Sequence, residues 1–457
     1  MNRLSVIPVT AVVFLLLAGC QTKQMQMKKD LVEFIRAHDS IVIPLSAETN
    51  LAYWNAAITG SEESYKKAQE FQLKLVEIYA DTQALQKLQE IKISGLINDT
   101  LLSRQLDLLF NQYLMAKADT SKLNAIVKME TRIEREFSIY RTVVNGNTLT
   151  DNDVEEILRT SKDVNRQKEV WTEQKKIGQK VAEDIKKLVV LRNEVAKDMG
   201  FRNYHQMQLT LSQQDPQDIT SLFDELDSLT RDAFGEVKNQ IDDYLVSTYN
   251  LPGKDALMPW NYQNRFFQEA PHIYEVDLSN YYAGKNLETL TADFYRGIGL
   301  PIDDMLKQSD LYEQEGKNQH AFCISIDRLN DVRVLCNLKS NVYWMNTMLH
   351  EFGHALYDYN IDETLPFTLR EPAHPFTTEA IAMIFGRFAS NPQWLQDVVG
   401  IGEEEKSKIA DPSFNTLRLE QLVFSRWAQV IYRFEKSMYE DPEQDLNKLW
   451  WDMVEQY

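Results

Sequence analysis

His350 and His354 stand four residues apart, and Glu351 directly follows the first. In a helix that spacing puts both imidazoles on one face, one turn apart. The surrounding stretch from Val342 to Tyr357 is predicted to be such a helix. Two neutral imidazole nitrogens suit Zn²⁺, and the carboxylate can take a proton from an attacking water without occupying a ligand position. This is the H-E-x-x-H arrangement of zinc-dependent peptidases. The competing reading is two histidines on a packed or solvated helix face.

A third donor lies 25 residues after His354. Glu379 sits in Thr377-Thr378-Glu379-Ala380-Ile381-Ala382, where a new helix is predicted to begin after Pro375. Alone, Glu379 reads as an acid in a helix's first turn, favourable with the macrodipole. Beside the two histidines it completes three protein ligands and leaves a fourth position for water, the pattern of a catalytic zinc.

The residues carrying this chemistry resemble a family. His350-Glu-Phe-Gly-His-Ala-Leu-Tyr357, Leu365-Pro366 through Arg370-Glu371-Pro-Ala-His-Pro375, and Glu379-Ala-Ile381 are similar to the metal-site region of angiotensin-converting-enzyme-like peptidases. The resemblance is densest from His320 to Trp394 and reaches weakly back to Glu48–Trp54 and Ile58–Gly60. It implies Glu379 as the third zinc ligand, a nearly all-helical zincin fold with a deep cleft between two halves, and release of C-terminal dipeptides from peptide substrates. His320-Ala321 stands 30 residues before His350, matching a His-Ala pair of the family. There the resemblance implies that His320 contacts the substrate carbonyl and that Ala321 pairs through its main chain. Read from residue types alone, His320 is a hydrogen-bonded, inert histidine at a strand end.

Three features depart from the family pattern. Met383 occupies a position where the family commonly has an aspartate supporting a zinc histidine. The loop from His354 to Glu379 is one residue longer. The family's transition-state-stabilising His and Tyr fall in a C-terminal segment beyond Tyr457, and Trp450–Tyr457 reads as a helix cut in mid-pattern. The domain is therefore expected to be incomplete at its C-terminus. Two further classes stay open on these grounds: a peptide-binding protein that keeps the metal with little turnover, and an endo-acting oligopeptidase.

The elements that must position these groups are mostly helical. No proline occurs between Pro44 and Pro216, which permits long helices. Tyr65, Phe71, Leu73, Leu75, Ile78 and Tyr79 form a helical apolar stripe; Thr150 to Asp153 reads as an N-cap box; and Val181 to Val189 predicts a helix stopping near Gly200. Leu417 to Phe434 is again apolar at helical spacing. His320–Asp327 and Val332–Asn337 alternate like a hairpin beside the zinc helix. If Asp327 faces Val332, Cys323 falls opposite Cys336, so either a cross-strand disulfide or two free thiols is expected. The expected architecture is mainly α with one small hairpin.

The 457 residues carry 68 acidic and 49 basic side chains, a net charge of -19. Such a surface repels phosphate backbones, so nucleic acid is not an expected partner. The N-terminus is basic at Arg3 and then apolar from Val6 to Gly19, too short for the roughly 20 residues of a spanning helix. It reads as a secretory signal. Its end, Leu17-Ala18-Gly19-Cys20, resembles a bacterial lipobox, with an ordinary cleaved signal or a buried helix as alternatives. The expected organisation is a signal over 1–20, a linker over 21–29 and a metallopeptidase domain over 30–457. Lipidated Cys20 would tether that domain to the bacterial cell envelope, on its extracytoplasmic side.

Overall fold

Side-chain caps and unbroken helix-forming runs set out the first half of the chain. The computed structural model describes the backbone of residues 9–274 and 276–457, and their side chains from residue 22 onward. The helices are α1 (Val9–Thr59), α2 (Glu62–Tyr79), α3 (Thr82–Ser94), α4 (Thr100–Met115) and α5 (Thr120–Ile139). A hairpin of β1 (Thr142–Val144) and β2 (Asn147–Leu149) leads to α6 (Asp151–Thr160), α7 (Val164–Gln174), α8 (Lys176–Asp198), α9 (Tyr204–Leu211) and α10 (Pro216–Tyr249). Ser61, Asp81, Asp99, Asp119 and Asp163 each accept a hydrogen bond from a backbone N–H in the following helix's first turn, satisfying donors the helix cannot pair internally. Thr150 and Asp153 form the reciprocal box the sequence predicts.

Shorter helices follow: α11 (Ser279–Tyr282), α12 (Leu287–Gly297) and α13 (Asp303–Gln308). A second hairpin, β3 (Phe322–Ser325) and β4 (Val332–Leu335), precedes α14 (Val342–Tyr359) and α15 (Pro375–Arg387). The chain continues with α16 (Pro392–Trp394), α17 (Glu403–Glu440) and α18 (Leu446–Gln456). The fold is mainly α, as expected, with two small antiparallel hairpins among the described residues rather than one. Residues 22–29, expected as a linker, continue α1, and Met27 packs against the Leu31, Leu88 and Leu109 cluster. Gln, Met and Lys are good helix formers, and neither Gly nor Pro interrupts them.

The β3–β4 register differs from the one assumed above. Ser325 pairs with Val332 and Cys323 with Val334, so Cys336 lies two residues past the partner of Cys323, and both are free thiols. The loop sets this register. Asp327 Oδ1 accepts from the backbone N–H of Leu329 and Asp331, and Arg328 takes a left-handed φ of 58°. These turns use residues 326–331 as loop, ending the ladder earlier than a tight turn would.

The hairpin is held from two sides. Trp54 and Ala57 of α1 pack on Ile326 and Leu335, and Asn50 Nδ2 donates to the carbonyls of Ser325 and Ile326. Lys317 is fully buried, and its ammonium donates to the Asp310 carboxylate and the carbonyls of Tyr312 and Cys336. A buried charge is tolerated only with such pairing, and here the pairing ties the approach to His320 onto β4. Among the described residues no helix is long and apolar enough to cross a membrane. The Cys20 side chain and the first eight residues lie outside the described residues, so the signal and the lipid anchor rest on sequence alone.

Candidate metal centre

α14 is amphipathic in a way that leaves one face for chemistry. Asn341 caps it, accepting from the Trp344 N–H at 2.9 Å. Met345, Met348, Leu349, Phe352, Ala355 and Leu356 are buried against α11, α12, β4 and the segment around Trp394. Tyr295, itself fully buried, donates its hydroxyl to the Leu349 carbonyl at 2.6 Å. That core fixes the helix's rotation, so His350, His354 and Asp358, spaced by four, share the opposite face.

α15 supplies the third donor. Pro375 opens it, where a missing N–H costs nothing. Two glycines mark where the helices touch. A Cβ on Gly353 would lie 2.9 Å from the Ala382 Cα, and one on Gly386 would lie 3.1 Å from Asn346 Oδ1. The glycine inside His350-Glu-Phe-Gly-His354 therefore lets the two helices close enough for Glu379 to reach both histidines.

The three donor sets converge. His350 Nε2 and His354 Nε2 are 3.1 Å apart; Glu379 Oε2 is 3.5 Å from the first and Oε1 3.6 Å from the second. Bonds of about 2.0–2.1 Å from a tetrahedral zinc put its donors roughly 3.3 Å apart. The observed spacings fit a small divalent ion, and the donor chemistry, two imidazoles and a carboxylate, fits as well. Burial, with His354 adding, pushes the His350 pKa down to about 4. Burial opposes charge at His354 too, but Glu379, Glu351 and Asp358 outweigh it and raise its pKa. Glu379 is held below the usual carboxylate range by the His354 imidazole.

Glu351 is buried at 8% exposure and lines the same cavity. Burial pushes its pKa up to about 7, opposed by His354 and reinforced by Glu379. A carboxylate poised near neutrality is suited to accept a proton and pass it on. The cavity, of about 620 Å³, is bounded by α14, α15, Asn50 of α1, β3 and Ala321 just before it.

Ala321 lines this cavity. His320 does not: its ring stacks on Phe137 with centroids 5.3 Å apart, and Nε2 is 4.0 Å from the Asp151 carboxylate. Partial burial and the Arg265 charge lower its pKa, against Asp151. Several lining residues were not singled out from sequence. Asp358 faces His354 one turn on, and burial raises its pKa to about 6. Its signal was available, as the next member of the 350, 354, 358 series. Arg328 stacks on Phe367 and pairs with Glu371 across the far wall. Thr378 Oγ1 lies 2.6 Å from His354 Nδ1, and no spacing rule announced it.

Comparison with curated proteins finds no match. A family model described as angiotensin-converting enzyme matches residues 25–457, nearly the whole chain, and the protein belongs to that peptidase family.

Proposed function

We propose that the protein is a zinc-dependent peptidase that releases C-terminal dipeptides from short peptides. The observation that carries the reading is the convergence of His350, His354 and Glu379 beside buried Glu351, in a cavity walled by a strand. His350 and His354 would hold the ion through Nε2 and Glu379 through its carboxylate. When bound, zinc supplies Lewis acidity, which lowers the pKa of water and polarises a carbonyl. Glu351 takes the proton from the attacking water and delivers it to the departing amine. Ala321 lines the cavity wall, and its main chain would pair there with an extended peptide added beside β3.

The test is product analysis. A chelator should abolish dipeptide release from short peptides, added Zn²⁺ should restore it, and mass spectrometry should show loss of two residues at a time. Internal cuts would point instead to an endo-acting peptidase. A second reading, binding with little turnover, is favoured by one observation. Among the described residues lining the cavity there is no tyrosine, and no histidine other than His350 and His354, to steady a developing oxyanion. Tight peptide binding without products would select it. We also propose that lipidated Cys20 anchors the protein to the extracytoplasmic side of the envelope, supported by Leu17-Ala-Gly-Cys20. Cys20→Ala should then release it from the membrane fraction.

A further inference from the structure

His354 has two nitrogens with different tasks. For Nε2 to offer a lone pair toward a metal shared with His350 and Glu379, its proton must sit on Nδ1. That N–H then needs an acceptor, because an unpaired buried donor is costly and leaves both the tautomer and the ring rotation unfixed. The acceptor in reach is the Thr378 hydroxyl oxygen, 2.6 Å away. Thr378 precedes Glu379 on α15, so one turn of one helix supplies a ligand and the group that orients another.

Metal-ligating histidines usually pass this proton to a carboxylate, a backbone carbonyl or a water. Here the residue one turn after Glu379 is Met383, whose thioether is only a weak acceptor. Asp358 faces His354 electrostatically, but no hydrogen bond joins them, whereas the threonine contact is direct. We propose that Thr378 is a positioning residue of the metal centre. It fixes the His354 tautomer through a neutral hydroxyl in place of a carboxylate. The assignment rests on the metal reading given above. A hydroxyl draws less on the imidazole proton than a carboxylate does, so His354 is a weaker electron donor. The ion is then held less tightly and keeps more of its Lewis acidity.

The test is zinc affinity of the full chain, measured by competition with a chromophoric chelator. Thr378→Val keeps the shape and removes the acceptor, and should weaken zinc binding about 10-fold or more. Thr378→Ser restores an acceptor and should bind within about threefold of the parent. The metal-free melting temperature should move by no more than about 3 °C among the three, the cost of one unpaired donor in a chain of this size; a larger fall in Thr378→Val would mark a merely structural role and overturn the assignment. His354→Ala serves as the reference. If it loses zinc while Thr378→Val binds as the parent does, the positioning role is overturned and the metal site stands. If His354→Ala itself binds zinc unchanged, the metal reading fails and takes this assignment with it.

Discussion

Glu351 and Glu379 are both carboxylates on the same cavity, and their surroundings divide their roles. Glu379 is about half exposed and is kept ionised by the imidazoles it faces; Glu351 is buried with its pKa raised. Replacing Glu351 by Gln keeps shape and removes proton-accepting capacity. Its loss should lower kcat by about 10²–10⁴-fold, the usual worth of a positioned acid or base, while zinc affinity changes little. Steady-state kinetics with a zinc titration checks this, and an unchanged kcat would remove Glu351 from the reaction. At this scale the convergence of His350, His354 and Glu379 was legible, because two histidines at a helical interval and a later acid carry their geometry in their spacing. Thr378 was not, since its role depends on how α15 crosses α14. His320 shows the same limit: its match to a family position does not bring it to the cavity, because Phe137 and Asp151 engage the ring.

The pair formed by α14 and α15 decides whether three donors meet. Gly353 sits at their crossing, and Gly353→Ala sets two effects against each other. Alanine gains about 1 kcal/mol of helix propensity, but its Cβ would collide with backbone of α15 at Ala382, and overpacking costs about 1–3 kcal/mol. Backbone cannot swing aside as a side chain can, so the collision should win. The variant should melt lower and bind zinc more weakly, read by thermal denaturation with and without the metal. Equal stability and affinity would mean that the helices part without cost. Helix positions were legible at this scale because caps and apolar stripes are local, as Thr150 with Asp153 shows. Strand details were less so. The β1–β2 hairpin carries an Asn145-Gly146 turn with both φ positive, a signal that favours hairpins but was not singled out. The β3–β4 register turned on Asp327 and Arg328 inside the loop, which alternation alone cannot report.

Across the whole molecule, the metal would join two helices that are otherwise held by the fifteen-residue connection, 360–374, by packing, and by the Asn346–Gly386 and His354–Thr378 hydrogen bonds. Folding and metal binding are therefore linked, since an unfolded chain cannot bring His350, His354 and Glu379 within a few ångströms of one another. At free zinc about 1,000 times its dissociation constant, the native state gains about 4 kcal/mol. For a chain of 457 residues, unfolding entropy of about 2.1 cal/mol/K per residue turns that into a melting shift of about 4 °C. The shift is small because the molecule is large, not because the site is weak. It should grow with the logarithm of zinc concentration, disappear with chelator, and be absent in Glu379→Ala, whose metal-free melt should match the parent. A shift that persists in Glu379→Ala would place the stabilising ion elsewhere on this acidic surface. No shift at any zinc concentration, with the parent still binding peptides, would leave the site a peptide receptor with metal-like geometry.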